Sequence, residues 1–397
     1  FTGTTIDLSF NIDGLPLFKS ANTCIWPILG LIKSVKSNPF AIGIFCGQGK
    51  PEPLHLYLSE FIDELLNLLN VGLYFKEQTY QVTIRSFVCD SPARAYLKCV
   101  KGHSGYSSCD KCIETGKYIQ GRVVLKNISA PRRTDASFIA QQDEDHHLGI
   151  SPLLKLGIGL VTAFPNDYMH CVCLGVMRKL LNTWLGPDKA VKLNGKKIID
   201  ISNYLTSTSS CIPLEINRKP RSLSDLPRWK ATEFRTFLLY VGPVALHRVI
   251  NSAIYEHFLL LHSSITILIS EKFISKFMNL ARTFINTFVK HSEHIYGEQF
   301  IIYNVHMLCH LCDDVTLYGV LDSFSAFCFE NYLGQLKRLI KKPSKPLQQL
   351  CRRLGELHQN ADSFITSAAQ TSLFLAHVMG PLIPKYNFIQ VSQFKKV

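Results

Sequence analysis

The chain has 397 residues, of which 47% are hydrophobic and 18% are charged. This balance is that of an ordered globular protein with room for two or three sub-domains, and it excludes an intrinsically disordered chain. The net charge of +13, from 43 Lys and Arg against 30 Asp and Glu, favours a polyanionic partner: nucleic acid first, an anionic membrane second.

The 13 cysteines are an odd number, and most lie in apolar runs, as Cys24, Cys46, Cys171 and Cys328 do. That usage is typical of a reduced intracellular protein with buried thiols and not of a disulfide framework. No uncharged apolar run is long enough to predict a transmembrane span. The sequence starts at Phe1, without a Met or a signal peptide, so we expect it to be a fragment.

The N-terminal part of the chain predicts a sheet with helices. Residues 4–12 alternate between apolar and polar side chains, and two further strand-like runs begin at Cys24 and Phe40. Apolar residues at helical spacing predict a helix over 56–70, and a fourth strand over 80–89 is followed by a helix start. This order predicts an α/β fold with a mixed sheet.

Beyond this sheet the chain changes character. Residues 101–150 are irregular, and residues 151–345 show mainly helical spacing, interrupted by a loop rich in Ser, Pro and basic residues over 206–228. Residues 343–397 begin within the tract KPSKP and predict mixed short elements. The predicted helices cover 169–184, 233–250, 253–269, 273–291, 298–312 and 325–342. The predicted division is a split α/β core over 1–150 and 316–345, a helical insertion over 151–315 and a C-terminal extension over 346–397.

Three acidic residues stand where a metal site can be built. Asp13 ends the first strand-like run, Asp90 ends the run before a helix start, and Glu330 lies in the last predicted helix. Such carboxylates can hold two Mg²⁺ ions about 3.5–4 Å apart, which clamp the attacking and leaving oxygens of a phosphodiester. Taken singly, the three are equally typical of a turn residue, a helix N-cap and a solvated helix residue. Glu330 is the most suggestive, because it follows an apolar stretch in which an unpaired carboxylate is costly.

Three pairs of cysteines and histidines predict a second, structural metal site. The first pair is a C-x-x-C on a predicted loop, which in an intracellular chain favours zinc over a disulfide. Two other pairs overlap in the run NVHMLCHLCDD, and either completes a four-ligand site. The candidate ligands are Cys109 and Cys112 with either His306 and His310 or Cys309 and Cys312. The alternatives are packed histidines and thiols, or a redox C-x-x-C.

Basic residues supply candidate contacts to a nucleic acid. Arg228 and Lys230 flank Trp229, and this trio either contacts and stacks on DNA or is a packing Trp between solvated charges. A basic run after Glu330 either grips phosphates or forms a solvated face. That run consists of Lys337, Arg338, Lys341 and Lys342.

Asp167 and His170 form a D-x-x-H motif at a predicted helix start. Asp167 can cap the helix, and His170 can bind that Asp or line the acidic metal site. Structural capping is the role that we predict for the pair.

Together these segments resemble the catalytic region of CACTA-type (En/Spm) DDE transposases, in the CACTA–Mirage–Chapaev superfamily. The resemblance spans residues 5 to about 345, most of the chain. None of its motifs is specific alone, whereas their order is. The segments are LSFNIDGLPLF, FVCDSPARAYL followed by CDKC, DYMHCVCLGVMRKLL, LPRWKATEFRTFLLYVGP, YNVHMLCHLCDDV and FCFENYLGQLKRLI.

The resemblance implies an RNase H-like fold with an α-helical insertion. It implies that Asp13, Asp90 and Glu330 are the DDE triad, which binds two Mg²⁺ or Mn²⁺ ions. The related Transib-like V(D)J recombinase core joins a C-x-x-C after its second Asp to two His before its Glu in one zinc site. That arrangement favours His306 and His310 as the second pair of zinc ligands here, and one structural Zn²⁺ per chain.

The resemblance also implies a nuclear protein that cleaves transposon ends and transfers them to target DNA without a covalent enzyme intermediate. At least a dimer is expected, because two ends must be held together, and no membrane partner is expected. Two alternatives remain: a catalytically silent, transposon-derived DNA-binding or scaffold protein, and a different RNase H-like nuclease. The complete triad argues against the first, and the zinc pairs and large insertion argue against the second.

Overall fold

The structure, a computed structural model, describes residues 3–18, 21–213, 215–216, 218–366, 375–376 and 394–395. The strands are β1 Thr5–Ile12, β2 Leu15–Phe18, β3 Ala21–Ile32, β4 Phe40–Gln48, β5 Leu73–Phe75, β6 Gln78–Phe87, β7 Lys117–Ile119, β8 Arg122–Val124, β9 Leu375–Ala376 and β10 Phe394–Lys395. The helices are α1 Leu54–Val71, α2 Ser91–Lys98, α3 Asp135–Ile139, α4 Arg178–Leu185, α5 Gly195–Ser207, α6 Ala231–Thr236, α7 Gly242–Leu246, α8 Ser252–Leu268, α9 Glu271–Tyr296, α10 Tyr303–Met307, α11 Leu311–Tyr318, α12 Phe327–Leu339 and α13 Pro346–Thr366. Two π-helical segments, Met169–Met177 and Phe237–Val241, precede α4 and α7.

Strand β1 lies inside the main sheet. It pairs antiparallel with β3 on one side and parallel with β6 on the other. The long strand β3 runs on past β1 to pair with β2, and β4 occupies its other edge. The short strand β5 forms a hairpin outside β6. The order across the sheet is therefore β4, β3, β1, β6 and β5, and β2 pairs with β3 on the same side as β1. The sheet is mixed.

The predicted α/β class and the mixed sheet are confirmed, and the four long predicted strands correspond to β1, β3, β4 and β6. The short strands β2, β5, β7 and β8 were not predicted, because three or four residues are too few to show alternation. Helix α5 was missed as well. Helix α13 replaces the first part of the mixed short elements predicted over 343–397; residues 367–374, 377–393 and 396–397 of that range lie outside the described chain.

The two faces of the sheet bury different cores. On one face, Leu8, Phe10 and Ile12 of β1 pack with α1, α2 and the segment around Phe164. Aromatic rings build this core: the Phe10 ring centroid lies 5.2 Å from that of Phe61. On the opposite face, β3 side chains join a larger core formed mainly by the helices after residue 168. Both faces are covered, so the apolar run of β3 is continuous.

Polar side chains lock the register of β1 against β6. The hydroxyls of Ser9 and Ser86, both buried, lie 3.0 Å apart. Beyond them, the Asn11 amide donates from Nδ2 to the Val88 carbonyl at 2.8 Å. A slip of one residue would place these groups in the apolar core on the other face, so the register of the two strand ends is strongly specified.

Among the described residues, no helix is both long and apolar enough to cross a membrane.

Replacing Phe10 by Ala tests the inner position of β1. The ring is 1% exposed, so its removal should lower the free energy of unfolding by about 3–5 kcal/mol, as is typical when a buried Phe leaves a cavity. Leu56→Ala on α1 is the control, since Leu56 is 63% exposed and should change stability by less than about 0.5 kcal/mol. Equal losses in urea denaturation would contradict this placement of β1.

Candidate metal centres

The first candidate centre is the acidic cluster of Asp13, Asp90 and Glu330. Asp13 directly follows β1, and Asp90 follows β6 after two residues. Since the two strands are parallel neighbours, their carboxyl ends lie at the same edge of the sheet. The pairing continues past β6, where the Val88 amide donates to the Phe10 carbonyl at 2.8 Å. Parallel pairing thus brings the two aspartates together.

Local backbone contacts orient both aspartates. The Gly14 amide donates to Asp13 Oδ1 at 2.6 Å. Asp90 is the N-cap of α2, and its Oδ1 accepts from the Ala93 amide at 2.7 Å, as predicted for a capping residue before Ser-Pro. No hydrogen-bond donor reaches Oδ2 of Asp13 or of Asp90 within the described chain. Each aspartate therefore keeps one oxygen for another ligand.

Glu330 reaches the cluster from the first turn of α12, and its carboxylate is 37% exposed. The start of α12 is held by Asp167, whose Oδ1 accepts from the Ala326 amide at 2.8 Å. Farther along the helix, Lys337 donates to the Pro16 carbonyl in β2. These contacts hold the glutamate helix against the sheet beside the turn that carries Asp13.

The D-x-x-H pair joins this centre. Asp167 caps the π-helical segment through the His170 amide at 2.9 Å and also accepts from His170 Nδ1 at 2.8 Å. The other ring nitrogen of His170 lies 3.8 Å from Glu330 Oε1. Burial opposes the charged imidazole, but the hydrogen bond and charge of Asp167 and the charge of Glu330 outweigh it and raise the pKa of His170 to about 9. Asp167 thus caps the helix as predicted and also holds His170 beside Glu330.

The three carboxylates act on one another electrostatically. Burial, followed by the charges of Asp90 and Glu330, raises the pKa of Asp13 to about 8. Burial also raises the pKa of Glu330, against the opposing charge of His170. The structure therefore brings the predicted triad together, although the three groups are too far apart for all their ligand atoms to lie within 4.8 Å of one another.

The second candidate centre is the Cys/His cluster of Cys109, Cys112, His306 and His310. All four side chains are buried, and their ligand atoms all lie within 4.8 Å of one another. Among the described residues it is the one such group of three or more His, Cys, Asp or Glu. The cysteines come from the loop after α2, whereas the histidines come from α10 and the turn that follows it. The cluster can hold a metal ion such as Zn²⁺.

Distances within the cluster match a tetrahedral zinc site. Zn–S bonds of about 2.3 Å and Zn–N bonds of about 2.0–2.1 Å give S–S, S–N and N–N edges of about 3.8, 3.5 and 3.3 Å. The two sulfurs lie 3.5 Å apart, and the two Nε2 atoms lie 3.3 Å apart. The Sγ–Nε2 distances are 3.4 Å from Cys109 to His310 and 3.3 Å from Cys112 to His306. The Leu125 carbonyl lies 3.2 Å from His306 Nδ1, an outer contact that orients a ligating ring.

The structure also separates the two predicted second pairs. Cys309 and Cys312 are buried but lie outside the cluster, so they pack as small apolar groups. Burial raises the pKa of both thiols, to about 12 and about 11. Inside the cluster, the Cys112 hydrogen bond and the His charges outweigh burial and lower the pKa of Cys109 well below its usual range. The histidine pair is the one that faces the C-x-x-C.

Buried ion pairs tie the cysteine loop to α2. Asp110, between the two cysteines, lies 2.9 Å from Arg94 Nε and 3.3 Å from Lys98 Nζ. Its other oxygen accepts from the Tyr303 hydroxyl at 3.2 Å. Burial alone would raise the pKa of Asp110, but the cations around it hold that pKa below its usual range. The helix that Asp90 caps is therefore joined to the Cys/His cluster.

A second buried ion pair continues toward α12. Lys111 Nζ lies 2.9 Å from Asp314 on α11, and the other oxygen of Asp314 accepts from the Asn166 amide at 2.8 Å. Asn166 precedes Asp167, which caps the start of α12. Breaking a buried pair of this kind typically costs about 3–5 kcal/mol. The sequence analysis did not identify these ion-paired residues, because no spacing rule marks an ion pair between distant segments. Asp110 and Lys111 nevertheless stand inside the C-x-x-C.

The predicted nucleic-acid contacts form two groups, one around Trp229 and one along and after α12. Trp229 is buried, donates to the Ser222 carbonyl at 3.3 Å and packs on Phe234, so it is a packing residue and its ring is not free to stack on a base. Arg228 and Lys230 beside it are exposed. The basic run after Glu330 is exposed too, but α12 ends at Leu339, so only half of that run is helical. The helical members are Lys337 and Arg338; Lys341 and Lys342 follow the helix.

A scan against protein-family models and a search of curated proteins found no match to this chain. The two centres therefore rest on the residues and their geometry.

The ligand set of the Cys/His cluster can be tested by metal analysis. Cys109→Ser and His306→Ala should each abolish the bound zinc, because a structural site needs all four ligands. Purified wild-type protein should contain about one zinc per chain by elemental mass spectrometry. Cys309→Ser is the matched control, since it removes a buried thiol outside the cluster and should leave the zinc in place. Zinc lost from Cys309→Ser but kept by His306→Ala would refute this ligand set.

Proposed function

We propose that this chain is the catalytic core of a DDE-type DNA transposase, in which Asp13, Asp90 and Glu330 bind two Mg²⁺ or Mn²⁺ ions. The observation that carries the proposal is the convergence of the three carboxylates: two follow adjacent parallel strands and one projects from α12. All three are half-buried, and the charges of Asp90 and Glu330 both act on Asp13. The substrate is DNA at transposon ends and then at a target.

The sheet supports an RNase H-like core. Strand β1 lies between an antiparallel partner, β3, and a parallel partner, β6, and the catalytic aspartates of such a core follow the strands equivalent to β1 and β6. Between Asp90 and Glu330 the chain forms a series of helices that pack on one face of the sheet. We interpret this helical region as the insertion of the transposase fold.

The donor set fits hard divalent cations. Mg²⁺ and Mn²⁺ prefer carboxylate oxygens, and Asp13 and Asp90 each keep an oxygen that no donor reaches in the described chain. Mutual repulsion among half-buried carboxylates is unfavourable unless cations compensate it. Two bound ions supply Lewis-acid activation of water and stabilise the charge that develops on the attacking and leaving oxygens.

The protein's own groups keep the carboxylates in position. The Gly14 and Ala93 amides each hold one oxygen of an aspartate, so the free oxygens point in fixed directions. His170, oriented by Asp167, lies beside Glu330 and restrains its side chain. Such preorganisation lowers the cost of assembling the charged site when DNA binds.

The Cys/His cluster is proposed to bind one structural zinc. The cluster joins the loop after α2 to α10. The Arg94–Asp110 ion pair links it to α2, which Asp90 caps, and the Lys111–Asp314 ion pair links it toward α12, which carries Glu330. Zinc in this position maintains the spacing of the catalytic acids without contacting the substrate. The net positive charge supports a DNA partner, and the pairing of two transposon ends requires at least a dimer.

The catalytic proposal is tested by cleavage of labelled DNA that carries the element's own ends. Asp13→Asn, Asp90→Asn and Glu330→Gln should each reduce Mg²⁺-dependent cleavage by roughly 10³-fold, since each removes a ligand whose loss costs about 4 kcal/mol in the transition state. Asp63→Asn, an exposed carboxylate on α1, is the control and should retain activity.

Cleavage that survives the triad changes would refute the catalytic assignment. A folded, zinc-containing wild-type protein that binds the ends without cutting them would instead identify a silent, transposon-derived DNA-binding protein.

Cation binding at the acidic cluster can be measured without DNA. Mg²⁺ at about ten times its Kd should raise the thermal midpoint of the wild-type protein by about 2 °C, because it binds only the folded acidic cluster. Above pH 8, where Asp13 is ionised, Asp13→Asn should raise the midpoint in the absence of Mg²⁺, since it removes a charge that burial and the neighbouring carboxylates disfavour, and it should abolish the Mg²⁺ effect. Asp63→Asn serves again as the control, and equal Mg²⁺ shifts in both variants would show that the ion binds elsewhere.

A further inference from the structure

A cavity with a volume of about 560 Å³ lies on the helical part of the structure, apart from both candidate metal centres. The segment Met169–Met177 and helix α4 form one side of it, and the β8 hairpin and the turn before α10 form the other. Three cations line it: Arg122, Arg178 and Lys179. The proposed catalysis does not use this cavity.

None of the three cations has a carboxylate partner among the described residues. Asp188 is the one acidic residue in the lining, and its Oδ1 accepts from the Ala190 amide within its own turn. Buried cations elsewhere in the chain are paired: Arg94 and Lys111 each lie 2.9 Å from an aspartate oxygen. The cavity is thus a concentration of positive charge that the protein itself leaves uncompensated.

Lys179 is the central group of this cavity. It is half-buried, and its ammonium lies 4.8 Å from the centroid of the Phe300 ring, which holds it in place. Burial, and then the charge of Arg122, lowers the pKa of Lys179 to about 8. A half-buried ammonium and an exposed guanidinium thus line the same cavity, and an anion between them would offset their repulsion.

A neutral donor completes the lining. The side-chain amide of Asn304 makes no hydrogen bond to another described residue, and it lies against the backbone of Gly175. A Cβ at position 175 would come within 2.7 Å of Asn304 Nδ2, so glycine there lets the amide keep its position. Ammonium, guanidinium and amide donors around one cavity suit a tetrahedral oxyanion.

We propose that this cavity binds a phosphate group. The phosphate comes either from a nucleic-acid backbone or from a free phosphate-bearing molecule, and the two sources share the same contacts. Lys179 and Arg122 supply the charge, Arg178 a guanidinium at the exposed rim, and Asn304 a neutral donor. Arg178 stands eight residues after His170, directly after the π-helical segment that carries His170. A strand that lies along this segment from the acidic cluster would therefore bring a backbone phosphate to the cavity.

The test uses the full chain with its zinc and compares two cavity variants with a surface control. Lys179→Gln and Arg122→Gln each remove one cavity charge, whereas Lys196→Gln removes an exposed charge on α5, outside the cavity. Inorganic phosphate is titrated at constant ionic strength, with the thermal midpoint as the readout. A short labelled duplex of arbitrary sequence is titrated over a series of salt concentrations, with fluorescence anisotropy as the readout. Neither measurement requires cleavage, so failure of the catalytic proposal leaves the result interpretable.

Both cavity variants should weaken phosphate binding by about tenfold or more relative to Lys196→Gln, because each removes a charged hydrogen bond. If the source is a nucleic-acid backbone, the salt dependence of duplex binding should also fall by about one unit in each variant. Weaker phosphate binding with unchanged duplex binding would identify a free phosphate compound as the ligand. Cavity variants that match Lys196→Gln in both titrations would overturn the proposal. Arg122 is exposed in the β8 hairpin, so its variant tests the site even if Lys179→Gln perturbs folding.

Discussion

The structure depends above all on the contact between the C-x-x-C loop and the two histidines that come almost two hundred residues later. Four buried ligand atoms converge there at distances that suit one metal ion, and a thiolate is favoured at Cys109. Burying such a polar group without a partner costs free energy, whereas groups that satisfy one another can be buried together. We therefore expect the four ligands to assemble as a unit. Asp110 and Lys111, inside the loop, extend the same constraint through ion pairs on both sides of the cluster.

The acidic cluster has the opposite electrostatic character. Asp110 and Lys111 beside the Cys/His cluster are both in ion pairs, whereas Asp13, Asp90 and Glu330 repel one another, and Asp13 and Asp90 each keep a free oxygen in the described structure. A protein tolerates such repulsion only where the rest of the fold holds the groups in place, and this is typical of functional sites. Here the β1–β6 register positions the aspartates, and Asp167 positions the helix of Glu330 and its neighbour His170.

Much of this arrangement was accessible from the sequence. The alternation in β1 and β6 located both aspartates at strand ends, and the apolar run before Glu330 predicted a helix there. Residue spacing left the choice between His306 and Cys309 open, because both pairs stand at helical spacing; the family resemblance favoured the histidines, and the cluster confirms that choice. Trp229 shows the same limit: a basic pair around an aromatic is compatible with a DNA contact, yet its ring is buried against Phe234. The unpaired cations around Lys179 were equally hidden, because two of them are ordinary members of a predicted helix and the third lies in a short hairpin.

The sequence by itself determined the α/β class, the long strands, and the residue types of both candidate centres, since these follow from local periodicity and from the order of motifs along the chain. Only the tertiary structure decided which groups meet: the parallel register of β1 and β6, the histidine pair at the C-x-x-C, the buried ion pairs that join α2 to α12, and the cavity around Lys179. The physical reason is that these contacts join segments far apart in the chain. Their free energy depends on burial and on partner charges, and neither is encoded in the spacing of neighbouring residues.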